Sequence, residues 1–259
     1  MLMRSLKGEM MSKPHICSLL IFCVLVSFAA PAASDGLDEY MQIFTDGNTQ
    51  QQTQAAKELA WAGLSDARLF NLIENSLLEK YLTVENKYAI DDTAWLARAL
   101  SCSGQEKYRA TLQKVASDSP QKKIRRHAEN SLVQLDNYAR WNPIISDTSN
   151  WDSSKSDEIN RYANMLRSDD LELQRIGAKR VHNTHSYDTY LLDILDAEIR
   201  ARYLEVNNDS LFIDTVAWMC KALSGSRVEA YKPTIVEVSE NAGNSKLAKY
   251  AKKYLKYYE

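Results

Sequence analysis

The chain is written twice. With an offset of 122, and of 123 after a one-residue insertion, the first half of the sequence beyond residue 34 falls on the second. Tyr40 meets Tyr162, Ala56-Lys57 meets Ala178-Lys179, and Tyr81-Leu82 with Val84 and Asn86 meets Tyr203-Leu204 with Val206 and Asn208. Past the insertion, Ile90-Asp91 meets Ile213-Asp214 and Ala94-Trp95 meets Ala217-Trp218. Ala99-Leu100-Ser101 then meets Ala222-Leu223-Ser224, and Tyr108 meets Tyr231. A long fixed period constrains the fold more than composition does. A unit that cannot bury its own apolar face must stack on a neighbour, and the stack shares one core.

Each copy reads as helices between short polar breaks. In the first, the spacing predicts helices over Asp38 to Thr45, Gln52 to Leu64, Ala67 to Leu82, Asp91 to Ser103, Glu106 to Ala116 and Lys122 to Leu135. Leu69, Phe70, Ile73, Leu77 and Tyr81 share one face at helical spacing. Gly104 reads as a helix-ending glycine. The second copy repeats the pattern from Asp157 to Tyr258. Gly177 sits inside a helix, where glycine costs about 1 kcal/mol relative to alanine, so a neighbouring helix is expected to approach it closely. No stretch alternates strictly, and glycine and proline are sparse (8 and 5). The expected fold is all-α, an α-α superhelix of two homologous units of three helix pairs. Their expected bounds are 35–136 and 157–259, joined by a connector over 137–156.

Asp91 to Leu135 ("DDTAWLARALSCSGQEKYRATLQKVASDSPQKKIRRHAENSLVQL") resembles HEAT repeats. It has an Ala/Leu-rich second helix, a glycine-containing turn, an apolar first helix, an Asp/Pro turn and a basic-apolar second helix. Leu173 to Val181 ("LQRIGAKRV") has the same second-helix cadence. The resemblance covers about six helix pairs and implies a fold rather than a chemistry. It departs from the family in its irregular pair lengths and in the connector, where the cadence lapses. Stacks of this kind curve, and the resemblance implies that the second helices line the concave side. That row holds Lys57, Arg98, Arg125, Arg126, Lys179, Lys221 and Lys249.

The first 34 residues read as a secretory signal peptide: Lys13, an apolar run from Ile16 to Phe28, then small residues from Ala29 to Ser34. That run is shorter than the about 20 residues of a membrane span, and no other run approaches this length. No transmembrane span is expected in the mature chain, and export to the periplasm is the expected destination. Removing Arg4, Lys7 and Lys13 against Glu9 makes a chain of formal charge −2 more acidic, which argues against a general nucleic-acid binder. Cys102 and Cys220 fall at non-equivalent sites in different units. No disulfide between them is expected, and both read as buried thiols.

No catalytic or cofactor-binding apparatus is visible: no Gly-x-Ser-x-Gly, no His-Glu-x-x-His and no phosphate-cradling glycine loop. His-Glu dipeptides, with which some helical-repeat enzymes hold iron, do not occur either. His182-x-x-His185 with Asp188 has a zinc-like spacing, yet the aligned Ala60 and Gly63 favour solvated or capping histidines, and no metal or cofactor is expected. Asp91 and Asp214 read as carboxylates capping helix N-termini, and Trp95 and Trp218 as core. The basic cluster Lys122, Lys123, Arg125, Arg126 and its counterpart Lys246 to Lys256 read as solvated faces, with an anionic partner or lipid headgroups as the other reading. Trp141 and Trp151 in the connector either anchor a partner or pack the joint. Together these lead to the expectation of a non-enzymatic, exported scaffold for a protein or peptide partner in the cell envelope. Trp141, Trp151, Arg98, Arg125, Arg126, Lys221 and Lys249 are its contact residues. An envelope inhibitor or immunity-type protein is the alternative, and an enzyme the remote one.

Overall fold

The structure is a computed structural model in which residues 36–259 are described; the expected signal segment lies outside them. Among the described residues there are twelve α-helices, four short 3₁₀ turns and no strand. The first copy comprises α1 (Leu37–Asp46), α2 (Thr49–Glu58), α3 (Ala67–Lys80), α4 (Lys87–Ser101), α5 (Arg109–Asp118) and α6 (Lys122–Ile145). The second comprises α7 (Asp157–Leu166), α8 (Leu171–Thr184), α9 (Thr189–Arg202), α10 (Ser210–Gly225), α11 (Lys232–Asn241) and α12 (Ser245–Tyr254). The two run in parallel down to detail. α3 and α9 each have 14 residues, α5 and α11 each have 10, and a three-residue 3₁₀ turn precedes both of the latter.

Local chemistry sets the starts. Asn48 with Gln51 forms a capping box on α2. Asp66, Asn86, Ser156, Asp170, Asp188, Asp209 and Asn244 accept from free N–H groups at the starts of α3, α4, α7, α8, α9, α10 and α12. This corrects one expectation. Because α4 begins at Lys87 and α10 at Ser210, Asp91 and Asp214 lie a turn inside their helices and cap nothing.

Within each copy the helices form two rows. Odd-numbered helices pack in sequence (α1 on α3 on α5; α7 on α9 on α11), as do even-numbered ones (α2 on α4 on α6; α8 on α10 on α12). Ala94, Ala97 and Leu100 of α4, and Ala217, Cys220 and Leu223 of α10, are buried between the rows against Leu69, Phe70, Ile73 and Leu77 or Leu191, Leu192, Leu195 and Ile199. A fully buried leucine contributes about 1.5–3 kcal/mol, so this shared strip is the main source of stability. Gly177 behaves as expected: a Cβ there would lie 2.9 Å from Cβ of Met165 on α7.

The connector differs most from expectation. α6 does not stop near Leu135 but runs on to Ile145, with Pro143 in its last turn. The added turns lie over the ends of the preceding helices. Asn142 is buried, and its Nδ2 donates to the carbonyls of Leu64 (3.1 Å), Cys102 (2.8 Å) and Ser103 (3.3 Å). The turns beneath hold Gly63 (φ +67°) and Gly104 (φ +62°). A Cβ on the first would sit 2.9 Å from Cγ2 of Ile145, and on the second 2.5 Å from the Ala139 nitrogen. Close backbone approach and left-handed φ together require glycine at both positions.

Candidate functional site

The even-numbered row carries two matching clusters. On α4, the Trp95 ring has the Lys57 ammonium 5.4 Å and the Arg98 guanidinium 5.0 Å from its centre. On α10, the Trp218 ring has Lys179 at 5.0 Å and Lys221 at 4.2 Å. In repeat register Lys57 is Lys179, Trp95 is Trp218 and Arg98 is Lys221. Each contact contributes about 0.5–1 kcal/mol where exposed, more where desolvated. Both tryptophans are partly buried, so one ring face serves the core and the rest holds cations. Among the described residues none of these four cations makes an ion pair.

A histidine completes each cluster. His127 lies edge-on to Trp95 at 6.2 Å, and His182 lies 6.2 Å from Trp218. They are not repeat partners: His127 comes from α6, which follows α4, and His182 from α8, which precedes α10. Burial holds the pKa of His127 below the ordinary histidine value, helped by Lys123, Arg126 and Arg98. Burial does the same to His182, helped by Lys221 and His185. Lys179 is likewise lowered, by burial and then by Arg175. Both clusters are therefore sites of crowded positive charge with neutral imidazoles at their edges.

Asp91 and Asp214 tie the same helices to their neighbours. Asp91 pairs with Lys123 of α6, and Asp214 with Arg175 of α8 at 3.1 Å. These are inter-helix ion pairs and not the helix caps expected from the sequence.

Two clefts lie where the copies meet. One, of about 520 Å³, is lined by Trp61, Arg98, His127, Tyr138, Glu172 and Ile176 among others. The other, of about 410 Å³, lies on the far side of Trp61, with Glu58, Arg161, Tyr162 and Arg180 in its wall. Arg180 crosses between the copies, its guanidinium 4.9 Å from the Trp61 ring and Nη2 donating to the Tyr162 hydroxyl at 3.1 Å. The second copy has clefts of about 400 and 550 Å³ along α12, lined by Lys221, Tyr254 and Tyr257, and by Lys246, Lys249, Tyr250 and Lys252, with Lys253 and Lys256 common to both.

The expected contact residues separate. Arg98 and Lys221 belong to the clusters, and Lys249 is exposed beside them on α12. Arg125 is committed locally: Nη1 donates to the carbonyls of Ser119 (2.7 Å) and Pro120 (3.0 Å) beyond the end of α5. Arg126 is exposed next to it. Trp141 is 1% exposed, with Nε1 donating to Asp170 at 3.0 Å, so it packs the joint and presents nothing to a partner. Trp151 is partly buried beneath Arg161, 6.0 Å away. His185 ends α8 in a left-handed conformation (φ 55°), and Asp188 caps α9 and pairs with Lys155 at 2.9 Å. Cys102 and Cys220 are free and buried, with both thiols pushed up to about 12 by burial. No described helix is long and apolar enough to cross a membrane.

No family model matches the chain, and no curated protein does. Among solved structures, human deoxyhypusine hydroxylase in complex with glycerol is similar at 11% identity and a TM-score of 0.35. The match covers 86% of this chain and 84% of that one. At that level the likeness transfers no chemistry. The expectation of an exported scaffold for a protein or peptide partner, with its inhibitor or immunity-type alternative, is nonetheless corrected. Nothing found among known proteins supports such a scaffold. The surface agrees: the large exposed hydrophobics of the described residues, such as Leu78, Tyr88, Val133, Leu204, Val206 and Val228, belong to several different helices and turns, whereas a protein-docking face concentrates its apolar anchors.

Proposed function

We propose that this chain is a HEAT-like stack of helical hairpins that binds an anionic ligand on its even-numbered row and does not transform it. One observation carries the reading. Two tryptophans in repeat register each hold two cations that make no ion pair among the described residues. Gathering like charges costs free energy unless an anion joins them, and ammonium and guanidinium donors bind oxyanions through charge-assisted hydrogen bonds. The tryptophans position those donors by restraining long, flexible side chains, which reduces the ordering cost of binding.

The tryptophans also serve as reporters. Titrating the protein with citrate and with tripolyphosphate at low salt is expected to change its tryptophan fluorescence, and added sodium chloride to weaken the effect. Lys57→Gln with Arg98→Gln, or Lys179→Gln with Lys221→Gln, is expected to weaken binding about tenfold per cluster, in line with about 1.4 kcal/mol of lost charge-assisted contact. Identical titrations for wild type and both double variants would remove the proposal.

A further inference from the structure

α12 and the turn after it carry Lys246, Lys249, Lys252, Lys253 and Lys256, and no acidic residue from Ser245 to Tyr258. Lys246, Lys249, Lys253 and Lys256 recur at three- and four-residue spacing, which sets them in one stripe about 15 Å long. Tyr250, Tyr254 and Tyr257 form a second stripe beside it. Tyr250 and Tyr254 are stacked at 6.4 Å and Tyr254 meets Tyr257 at 6.4 Å. Tyr257 meets His182 at 6.2 Å, and so reaches the Trp218 cluster.

The twin face in the first copy is different. In repeat register, Tyr250, Lys252, Lys253, Tyr254, Lys256 and Tyr257 stand where His127, Glu129, Asn130, Ser131, Val133 and Gln134 stand on α6. Lys246 stands at Lys123, but Asp214 pairs with Arg175 and not with Lys246, whereas Asp91 does pair with Lys123. The lysines of α12 make no ion pair among the described residues.

We infer that α12 is the docking strip for a linear acidic polysaccharide that continues from the Trp218 cluster along the lysine and tyrosine stripes. The inference rests on the anion-binding reading above and names its ligand class. Three observations select that occupant. The charges are all ammonium groups, point charges without the planar fork that reads a single carboxylate. Two adjoining clefts that share Lys253 and Lys256 fit successive units of a chain better than one small anion. The tyrosines that line the same clefts as these lysines offer hydroxyls and rings to a hydroxylated, C–H-bearing sugar unit, which polyphosphate lacks.

The test is calorimetric titration of the purified protein at low salt with four probes: polygalacturonate oligomers from dimer to octamer, linear polyphosphate, poly(dT) and neutral dextran. Polygalacturonate affinity is expected to rise about tenfold or more from dimer to octamer as further units engage the strip, with dextran silent. Lys246→Gln with Lys249→Gln, which line only the outer cleft, is expected to abolish that length dependence while leaving dimer binding in place. Tyr257→Phe, which keeps the ring, and Tyr257→Ser are expected to weaken the octamer several-fold and polyphosphate not at all. Circular dichroism confirms that each variant is folded. An octamer no tighter than the dimer, a lysine pair without effect, or poly(dT) or polyphosphate binding above polygalacturonate would overturn the inference while leaving the anion reading standing. Dimer binding indifferent to the Lys179 and Lys221 variants would instead count against the reading beneath it.

Discussion

The two copies share a backbone plan and differ in what lies over their turns. Left-handed residues occur at four described positions, and they form two repeat pairs: Gly63 with His185, and Gly104 with Arg227. In the first copy both are glycine, pressed under the extended end of α6. In the second, the same conformation is held by His185 and Arg227, both exposed. The conformation belongs to the repeat, and the glycine belongs to the covering helix. A side chain there is tolerated at a cost in φ of about 1–2 kcal/mol, but not where another backbone occupies its space.

Polar ties show a related asymmetry. Asp91 and Trp95 find their ammonium and imidazole partners on α6, whereas Asp214 and Trp218 find their guanidinium and imidazole partners on α8. α6 and α8 are the even-numbered helices bordering the junction. These contacts of both copies thus point toward the joint, and the lysines of α12 are left without ion pairs among the described residues.

The sharpest way to break this comparison is at the turns. Gly104→Ala combines a left-handed φ with a 2.5 Å approach to the Ala139 nitrogen, and is expected to cost about 3 kcal/mol or more in urea denaturation. Its mirror, Arg227→Gly, is expected to stabilise by about 1 kcal/mol. A Gly104→Ala protein as stable as wild type would show that α6 does not close over that turn. Next in size is Asn142→Ala, which leaves three carbonyls without their donor and is expected to cost about 1–3 kcal/mol while leaving ligand titrations unchanged.

The smallest effect is in pH. Folding depresses the pKa of His127 and His182, so below the ordinary histidine value the unfolded chain binds these protons more readily than the folded one. Their contribution is intact above about pH 6.5 and is lost as pH falls through the lower folded values. The urea midpoint is expected to drop between pH 7 and pH 5, and to drop less in a protein carrying His127→Gln and His182→Gln. Equal slopes would place both rings in solvent.

Much of this was legible from the sequence. The repeat offset located every helix pair, and apolar spacing found the buried face of α3. Gly177 announced the close approach of α7. The row that holds Lys57, Arg98, Lys179 and Lys221 was also readable, because the repeat sets the second helices of the pairs side by side. That Trp95 and Trp218 hold these cations was not, since Lys57 and Lys179 reach them from another helix. Residues 137–145 hid behind Asn137, Asn142 and Pro143, which read as loop formers, although Tyr138, Trp141 and Ile145 carry the helical spacing on from Leu135 into the core. Asp91 and Asp214 misled because Asn86 and Asp209 were the better caps a turn earlier.

The extended end of α6 also determines how the molecule can be dissected. What reads as a spacer is the roof of the half before it, covalently continuous with the helix that carries Ile124 and Ala128. Severing the protein at Asp136 would strip that roof and bare two glycine turns, whereas a cut within residues 146–156 would release the first half with its roof in place. Twins in sequence need not be interchangeable parts.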